Sequence, residues 1–219
     1  MVARELVEGL GVADVVDAMM MTFQHRAHAI HFDSPDPQRV LFGPAVTIGY
    51  MPVRKDLMDP DKHSLGPAFY RAIGDEDPTG KVLVMASNGH AHASLGGGTK
   101  LSRVRNHGMA GILCDGRLRD YEELNSYDFA VYCKGETVRA GGNEIQPYLT
   151  NVPVCVDGVT VVPGDYVFAQ GSTAVIVPAD SAEAVFKKSR GIMEKMDQVR
   201  DSLVDEDPQT VMSEGSSEI

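Results

Sequence analysis

The 219-residue chain has a mass of 23.6 kDa, 43% hydrophobic and 23% charged residues, and a formal net charge of −11. This is the make-up of one compact soluble domain with a sizeable core, and the acidity argues against nucleic acid and anionic membrane surfaces as partners. No run approaches the ~18–20 apolar residues of a membrane span, and the charge-broken MVARELVEGLGVADVV at the start does not read as a signal peptide, so a cytoplasmic location is expected.

The first elements are helical. Leu6, Val7 and Leu10 give one helical face over 3–10, and Val15, Val16, Met19, Met20 and Phe23 give a second over 13–23, with Asp17 as a solvated or capping carboxylate. His25, His28 and His31 recur every third residue, but no carboxylate or cysteine completes a ligand set, so 24–42 reads as a loop or edge segment. Gly43-Pro44 opens the strand AVTIGYMPV. A polar stretch, 54–80, contains a short helix around 65–73 and leads through Gly80 into the strand VLVMA.

Next comes the stretch that carries chemistry, Gly96 to Asp120. Three glycines precede an amphipathic segment, an apolar strand, and a loop holding Asp115-Gly116 and the pair Arg119-Asp120. Gly96, Gly97 and Gly98 let a ligand approach the main chain. Thr99 is placed to cap a helix through Leu101 and Val104, and a helix start favours a carboxylate or phosphate. Arg119 offers a planar fork for a carboxylate, and Asp120 offers oxygen to a hard cation such as Mg²⁺ or Mn²⁺. The alternatives are a flexible turn followed by a solvated ion pair.

Beyond it, YEEL starts a short helix, FAVYCK is a strand, and 135–148 is rich in loop signals. Short strands follow, joined at Asp157-Gly158, Pro163-Gly164-Asp165 and Gly171-Ser172. A last helix is expected from about Ser181 to Val204, with Asp180 and Glu183 as a capping box. One domain over 1–204 and an acidic, disordered tail over 205–219 are expected. The three cysteines, Cys114, Cys133 and Cys155, lie in or beside apolar runs without a Cys-x-x-Cys pair, so buried reduced thiols are expected, not a disulfide framework or zinc site.

Asp115-Gly-x-x-Arg119-Asp120, preceded by Gly108-x-x-Gly111, resembles the signature of the regulator-of-ribonuclease-activity-A-like family. That family includes the class II 4-hydroxy-4-methyl-2-oxoglutarate aldolases, which also decarboxylate oxaloacetate. Val16-Asp17-Ala18-Met19, Gly43 to Thr47, Val82-Leu83-Val84, Val162 to Asp165 and Val175 to Pro178 agree in order, so the resemblance spans roughly 10–180.

The resemblance implies an α/β fold, a layered β/β/α sandwich of the swivelling-domain kind with flanking N- and C-terminal helices. It implies trimers or pairs of trimers with sites between subunits. By motif position, Asp120 would bind Mg²⁺ or Mn²⁺, and Arg119 would hold the pyruvyl substrate and place a water. Amides near Gly97, Gly98, Thr99 and Lys100 would hold its carboxylate. The metal would polarise the 2-oxo group and stabilise a pyruvate enolate.

The chain departs from the pattern at Gly96-Gly97, where the aldolases usually carry Gly-Asp or Gly-Glu, and at Gln170, where an Asp is usual. His90, His92, Asp115 or, from a neighbouring subunit, Glu194 are candidates to compensate for the loop carboxylate. A Schiff base on Lys100 is an alternative enzyme mechanism. Two further readings are a non-catalytic regulator that binds an RNA-degrading endoribonuclease or helicase, and an enzyme for a different small carboxylic acid.

Overall fold

The computed structural model describes residues 2–214. In chain order the strands are β1 (His28–Ala29), β2 (Leu41–Pro52), β3 (Val82–Ala86), β4 (Gly111–Cys114), β5 (Ala130–Tyr132), β6 (Ile145–Thr150), β7 (Val154–Val156), β8 (Val159–Val161), β9 (Tyr166–Gln170) and β10 (Thr173–Val177). The helices are α1 (Val12–Thr22), α2 (Leu65–Ile73), α3 (Gly98–Asn106), α4 (Tyr121–Asn125), α5 (Ala182–Ser202) and α6 (Pro208–Glu214).

The long strand β2 belongs to two sheets. Its first residues, Leu41–Pro44, pair antiparallel with β9, which continues to β10 and β1. From Ala45 to Gly49 it pairs parallel with β3, which continues in parallel to β4 and β5, while its far end takes β6 antiparallel on the other edge. Pleat alternation then builds three apolar layers. Along β3, Leu83 and Met85 face Phe69 of α2, Leu101 and Val104 of α3 and Leu124 of α4. Val82, Val84 and Ala86 point the other way, onto Val167 and Ala169 of β9, Ile176 of β10 and the β7–β8 hairpin. The outer faces of β9 and β10, with Phe168 and Val175, pack on Val15 and Met19 of α1 and Val185 and Phe186 of α5. A parallel strand buried on both faces carries an unbroken apolar run, and VLVMA is one. The expected layered sandwich with terminal helices on its flank is the fold.

Local differences have local causes. The expected helix over 3–10 is only a 3-10 turn, Arg4–Leu6. At α1 the carboxylate that binds an end amide is Asp14, which accepts from Gly11 N at 2.9 Å, while Asp17 is exposed. Within the loop-rich 135–148, Ile145 onward is strand β6, because an edge strand tolerates Pro147. Asp180 lies in a 3-10 turn, and Ser181 stands at the start of α5 without a side-chain cap. Cys114 and Cys133 are buried, but Cys155 is exposed, because alternate residues of β7 face outward. In the expected disordered tail, Pro208–Glu214 form helix α6, while 215–219 lie outside the described residues. No helix among the described residues is long and apolar enough to cross a membrane.

Candidate active site

Two loops at the carboxyl ends of parallel strands form the site, the position where open α/β sheets collect ligands. The first leaves β3 and enters α3 through Gly96 and Gly97. The second leaves β4 and enters α4 through Arg119 and Asp120. They are stitched together by main-chain bonds, Leu95 N to Arg117 O at 3.0 Å and Arg119 N to Gly96 O at 3.0 Å. Ser94 and Arg117 also form a parallel bridge.

Gly97, not Thr99, is the residue before the first turn of α3, and it is extended, with φ −123° and ψ 168°. The helix therefore presents Gly98, Thr99 and Lys100 as its first three residues, whose amides have no intrahelical partner. Gly98 N donates to Asp120 Oδ2 at 3.0 Å. The amides of Thr99 and Lys100 remain for a ligand.

Asp120 adopts a left-handed conformation, φ 65° and ψ 49°. A non-glycine residue held there costs on the order of 1–3 kcal/mol, and such strain gathers at functional sites. Leu124 N donates to Asp120 O at 2.9 Å, and Tyr121 N donates to Glu136 Oε1 at 3.0 Å, so both flanks of the strained residue are tied down. Arg119 Nε stands 3.8 Å from Asp120 Oδ2, and the two side chains are 41% and 40% exposed. An open ion pair of this kind stabilises the fold little and leaves both groups available.

A cavity of about 370 Å³ opens beside them, lined by Gly96, Gly97, Thr99, Lys100, Arg119 and Asp120 on one side. Across it stand Ser64 and Leu65 at the start of α2, and Gly141, Gly142 and Gln146 from the segment leading into β6. Tyr50 also lines it, donating its hydroxyl proton to Leu95 O at 2.9 Å. Burial pushes the Tyr50 hydroxyl pKa far up, so it stays a neutral, structural group. Larger hollows lie elsewhere, including one of about 510 Å³ around Arg39, Phe42, Met109 and Phe129, but neither Arg119 nor Asp120 lines any of them.

Five of the six residues singled out from the sequence, Gly97, Thr99, Lys100, Arg119 and Asp120, thus meet at one cavity. Gly98 does not line it; its amide holds Asp120 instead. The candidates to compensate for a loop carboxylate sit apart. Asp115 accepts from Ser87 N at 2.5 Å and Asp157 N at 3.2 Å, tying the β3 and β4 ends to the β7–β8 turn. His90 Nε2 is 3.7 Å from Glu144 Oε2, and neither His90 nor His92 lines the cavity. Glu194 is exposed on α5. Tyr50, Ser64 and Gln146 were not legible as site residues, since distant segments bring them in and no motif marks them.

Asp120 is the one carboxylate lining the cavity. Among the described residues no three His, Cys, Asp or Glu side chains converge as a metal cluster. A fully protein-ligated zinc does not fit that donor set. A hard cation that keeps most of its waters and takes one protein carboxylate plus substrate oxygens does fit. Asp120 Oδ2 is anchored on Gly98 N, and Oδ1 has no protein donor among the described residues.

Residues 12–176 match the family described as RraA-like, Aldolase/RraA. The chain belongs to that family. It is 29% identical over 154 residues to protein DlpA of Legionella pneumophila, a match covering 69% of this chain and 24% of DlpA. It is 28% identical over 111 residues to the 4-hydroxy-4-methyl-2-oxoglutarate aldolase of Thermus thermophilus, covering 51% of this chain and 67% of that protein. The chain thus spans only about a quarter of the length of the first of these relatives. Among solved structures, Streptomyces coelicolor RraAS2, described as an unusual member of the RNase ES inhibitor RraA protein family, superposes with a TM-score of 0.77 at 27% identity. That match covers 91% of this chain and 97% of RraAS2. A Pseudomonas syringae protein superposes at 0.75 and 22% identity, covering 93% of this chain and 92% of that one. RraA-like relatives therefore include both named aldolases and RNase inhibitors.

Proposed function

We propose that the chain is a divalent-metal-dependent lyase that cleaves a carbon–carbon bond of a 2-oxo dicarboxylic acid and releases pyruvate. The observation that carries this reading is the meeting of Arg119, Asp120 and the free amides of Thr99 and Lys100 at one cavity. The amides and the positive end of α3 would receive the carboxylate next to the 2-oxo group. Arg119 would hold the pyruvyl oxygens through its planar fork and place a water. Asp120 would hold Mg²⁺ or Mn²⁺, which supplies Lewis-acid polarisation of the 2-oxo group. In aldol cleavage the water held by Arg119 would take the proton of the 4-hydroxyl as the bond breaks. The electron pair would stay on the pyruvyl fragment as an enolate, the other fragment would leave as a carbonyl compound or, in decarboxylation, as CO₂, and the water would return a proton to carbon. Aldol cleavage and decarboxylation share that enolate, so one site serves both. The route leaves Lys100 as a positioning cation with no covalent role.

Self-association as a trimer or a pair of trimers, with sites between subunits, belongs to the same proposal. It is supported by Val138, which is 92% exposed and lines a second shallow hollow against Arg119 and Asp120. A second reading, a regulator that binds an RNA-degrading endoribonuclease, is supported by the RraAS2 likeness. Screening oxaloacetate and 4-hydroxy-4-methyl-2-oxoglutarate for pyruvate release, with Mg²⁺, with Mn²⁺ and with EDTA, separates the two. Turnover abolished by EDTA supports the lyase; no turnover in any condition refutes it.

A further inference from the structure

The hollow of about 510 Å³ lies at the opposite ends of the same parallel strands. Gly80, Ala110 and Phe129 shortly precede β3, β4 and β5, and all three line it. The length of β3, roughly 15 Å, separates it from the Arg119–Asp120 cavity. Its volume falls within the ~300–1,000 Å³ of small-molecule sites. Its floor is apolar: Phe42, Met109, Phe129 and Tyr166 are all buried, and the Phe42 and Tyr166 ring centroids are 5.5 Å apart. The rim opens at Gly80, where φ is 74° and a Cβ would meet nothing within 4 Å. Gly80 N donates to Gly108 O at 2.9 Å, which fixes that turn.

Cations are set into these walls. Arg39 Nη1 donates to Tyr127 O at 2.7 Å and Phe129 O at 3.1 Å, and its Nε stands 3.4 Å from Asp36 Oδ2. Among the described residues Arg39 Nη2 has no protein acceptor. Arg4 reaches the cavity from the N-terminal 3-10 turn and pairs with no carboxylate among the described residues. Arg190 of α5 pins that turn, donating to Glu5 O at 2.8 Å, Leu6 O at 3.1 Å and Glu8 O at 2.8 Å. Tyr166 Oη accepts from Val2 N at 2.5 Å, which leaves its own proton to give. The one lining carboxylate, Asp128, is fully exposed and 3.9 Å from Arg39 Nη1.

Two guanidinium groups and a phenol around an aromatic floor match an anion with an apolar body. A carboxylate suits the guanidinium fork, and a ring suits Phe42 and Phe129. A second carboxylate, as on the dicarboxylic acids proposed for the other cavity, would be stranded against that floor without a donor. We propose that this cavity is a binding site for a small monocarboxylate with an apolar ring, separate from the Gly96–Asp120 site. The proposal goes beyond the lyase reading and does not depend on it.

The test is calorimetric titration of the full chain, in EDTA so that no cation at Asp120 takes the acid. The probes are phenylacetate, 2-phenylethanol (the ring without the charge) and acetate (the charge without the ring). Phenylacetate should bind with a Kd on the order of 0.1–1 mM, and the other two at least about 10-fold more weakly. Arg39 is left intact because it also holds two carbonyls. Thr79→Trp, which fills the rim from an exposed position, should abolish binding. Arg4→Gln should weaken it about 10-fold. Both variants should keep the wild-type circular dichroism spectrum, and Asp120→Asn should bind phenylacetate as wild type does. No binding by wild type at about 10 mM overturns the proposal. So does 2-phenylethanol binding as tightly as phenylacetate, or wild-type affinity in both Thr79→Trp and Arg4→Gln. Binding lost in Asp120→Asn would place the acid in the other cavity and overturn it as well.

Discussion

Gly97→Ala isolates the geometry of the reacting groups from the stability of the fold. Gly97 is extended, so alanine is allowed by its backbone. Its Cβ would lie 2.5 Å from Asp120 Oδ2, 3.2 Å from Arg119 Nε and 3.4 Å from Arg119 Cβ. Restoring ordinary contact moves the Asp120 carboxylate by roughly 0.9 Å, away from Gly98 N. Displacements near 1 Å at a reacting centre cost on the order of 10²-fold in rate, or about 2.7 kcal/mol in the barrier. The fold should lose less. The hydrogen bond at stake is to a charged group, nominally about 1.5–3 kcal/mol, but Asp120 is 40% exposed and water replaces much of it, so about 1 kcal/mol is expected. Gly142→Ala is the control on the facing wall, because a Cβ there meets nothing within 4 Å. Pyruvate release and thermal unfolding on both variants check this. Gly97→Ala should fall about 100-fold in kcat with a melting temperature within a few degrees of wild type, and Gly142→Ala should match wild type. Gly97→Ala turning over at the wild-type rate would refute the placement of Asp120 and Arg119 at the reacting atoms.

Three other outcomes follow from the same geometry. Gly111 sits at φ 151° where a Cβ would meet Ala130 O at 2.1 Å and Leu41 Cδ1 at 2.8 Å, so Gly111→Ala should destabilise by about 2–5 kcal/mol in urea unfolding; a change under 1 kcal/mol would contradict the tight β4–β5 approach. Asp115→Ala strands the amides of Ser87 and Asp157, and should cost about 1–3 kcal/mol of stability while leaving Mn²⁺ affinity unchanged; lost metal binding with unchanged stability would make Asp115 a ligand after all. Burial raises the pKa of Cys114 and Cys133, whereas Cys155 is exposed, so a disulfide reagent at neutral pH should titrate one thiol per native chain quickly and the others only after denaturation; rapid reaction of all three would contradict the packing of β4 and β5.

Much of this is legible in the sequence. VLVMA announces a doubly buried parallel strand because both of its faces meet apolar layers. Asp157-Gly158 announces a hairpin because both residues take positive φ, 49° and 81°. The site was legible where one contiguous stretch carries it, from Gly96 to Asp120. What was hidden depends on long-range packing. Tyr50 and Gln146 lie far from that stretch in sequence and reach the cavity only through the pairing of β2 with β6. The sequence offers the Gly98 amide to a ligand, but the structure gives that amide to Asp120 and fills the place of a Gly98 side chain with Glu123. Asp115 looked like a spare ligand, but the β7–β8 turn that uses its second oxygen comes some forty residues later. Cys155 looked buried because its neighbours are apolar; its outward register is set by which face of β7 meets β3.

The central claim is that the cation held by Asp120 drives release of pyruvate. The most direct measurement is oxaloacetate turnover by wild type and Asp120→Asn in saturating Mn²⁺, with spontaneous decarboxylation by the metal subtracted. Wild type should turn over in a way that EDTA abolishes, and Asp120→Asn should lose at least about 10²-fold with the fold intact. Equal turnover by the two proteins would contradict it.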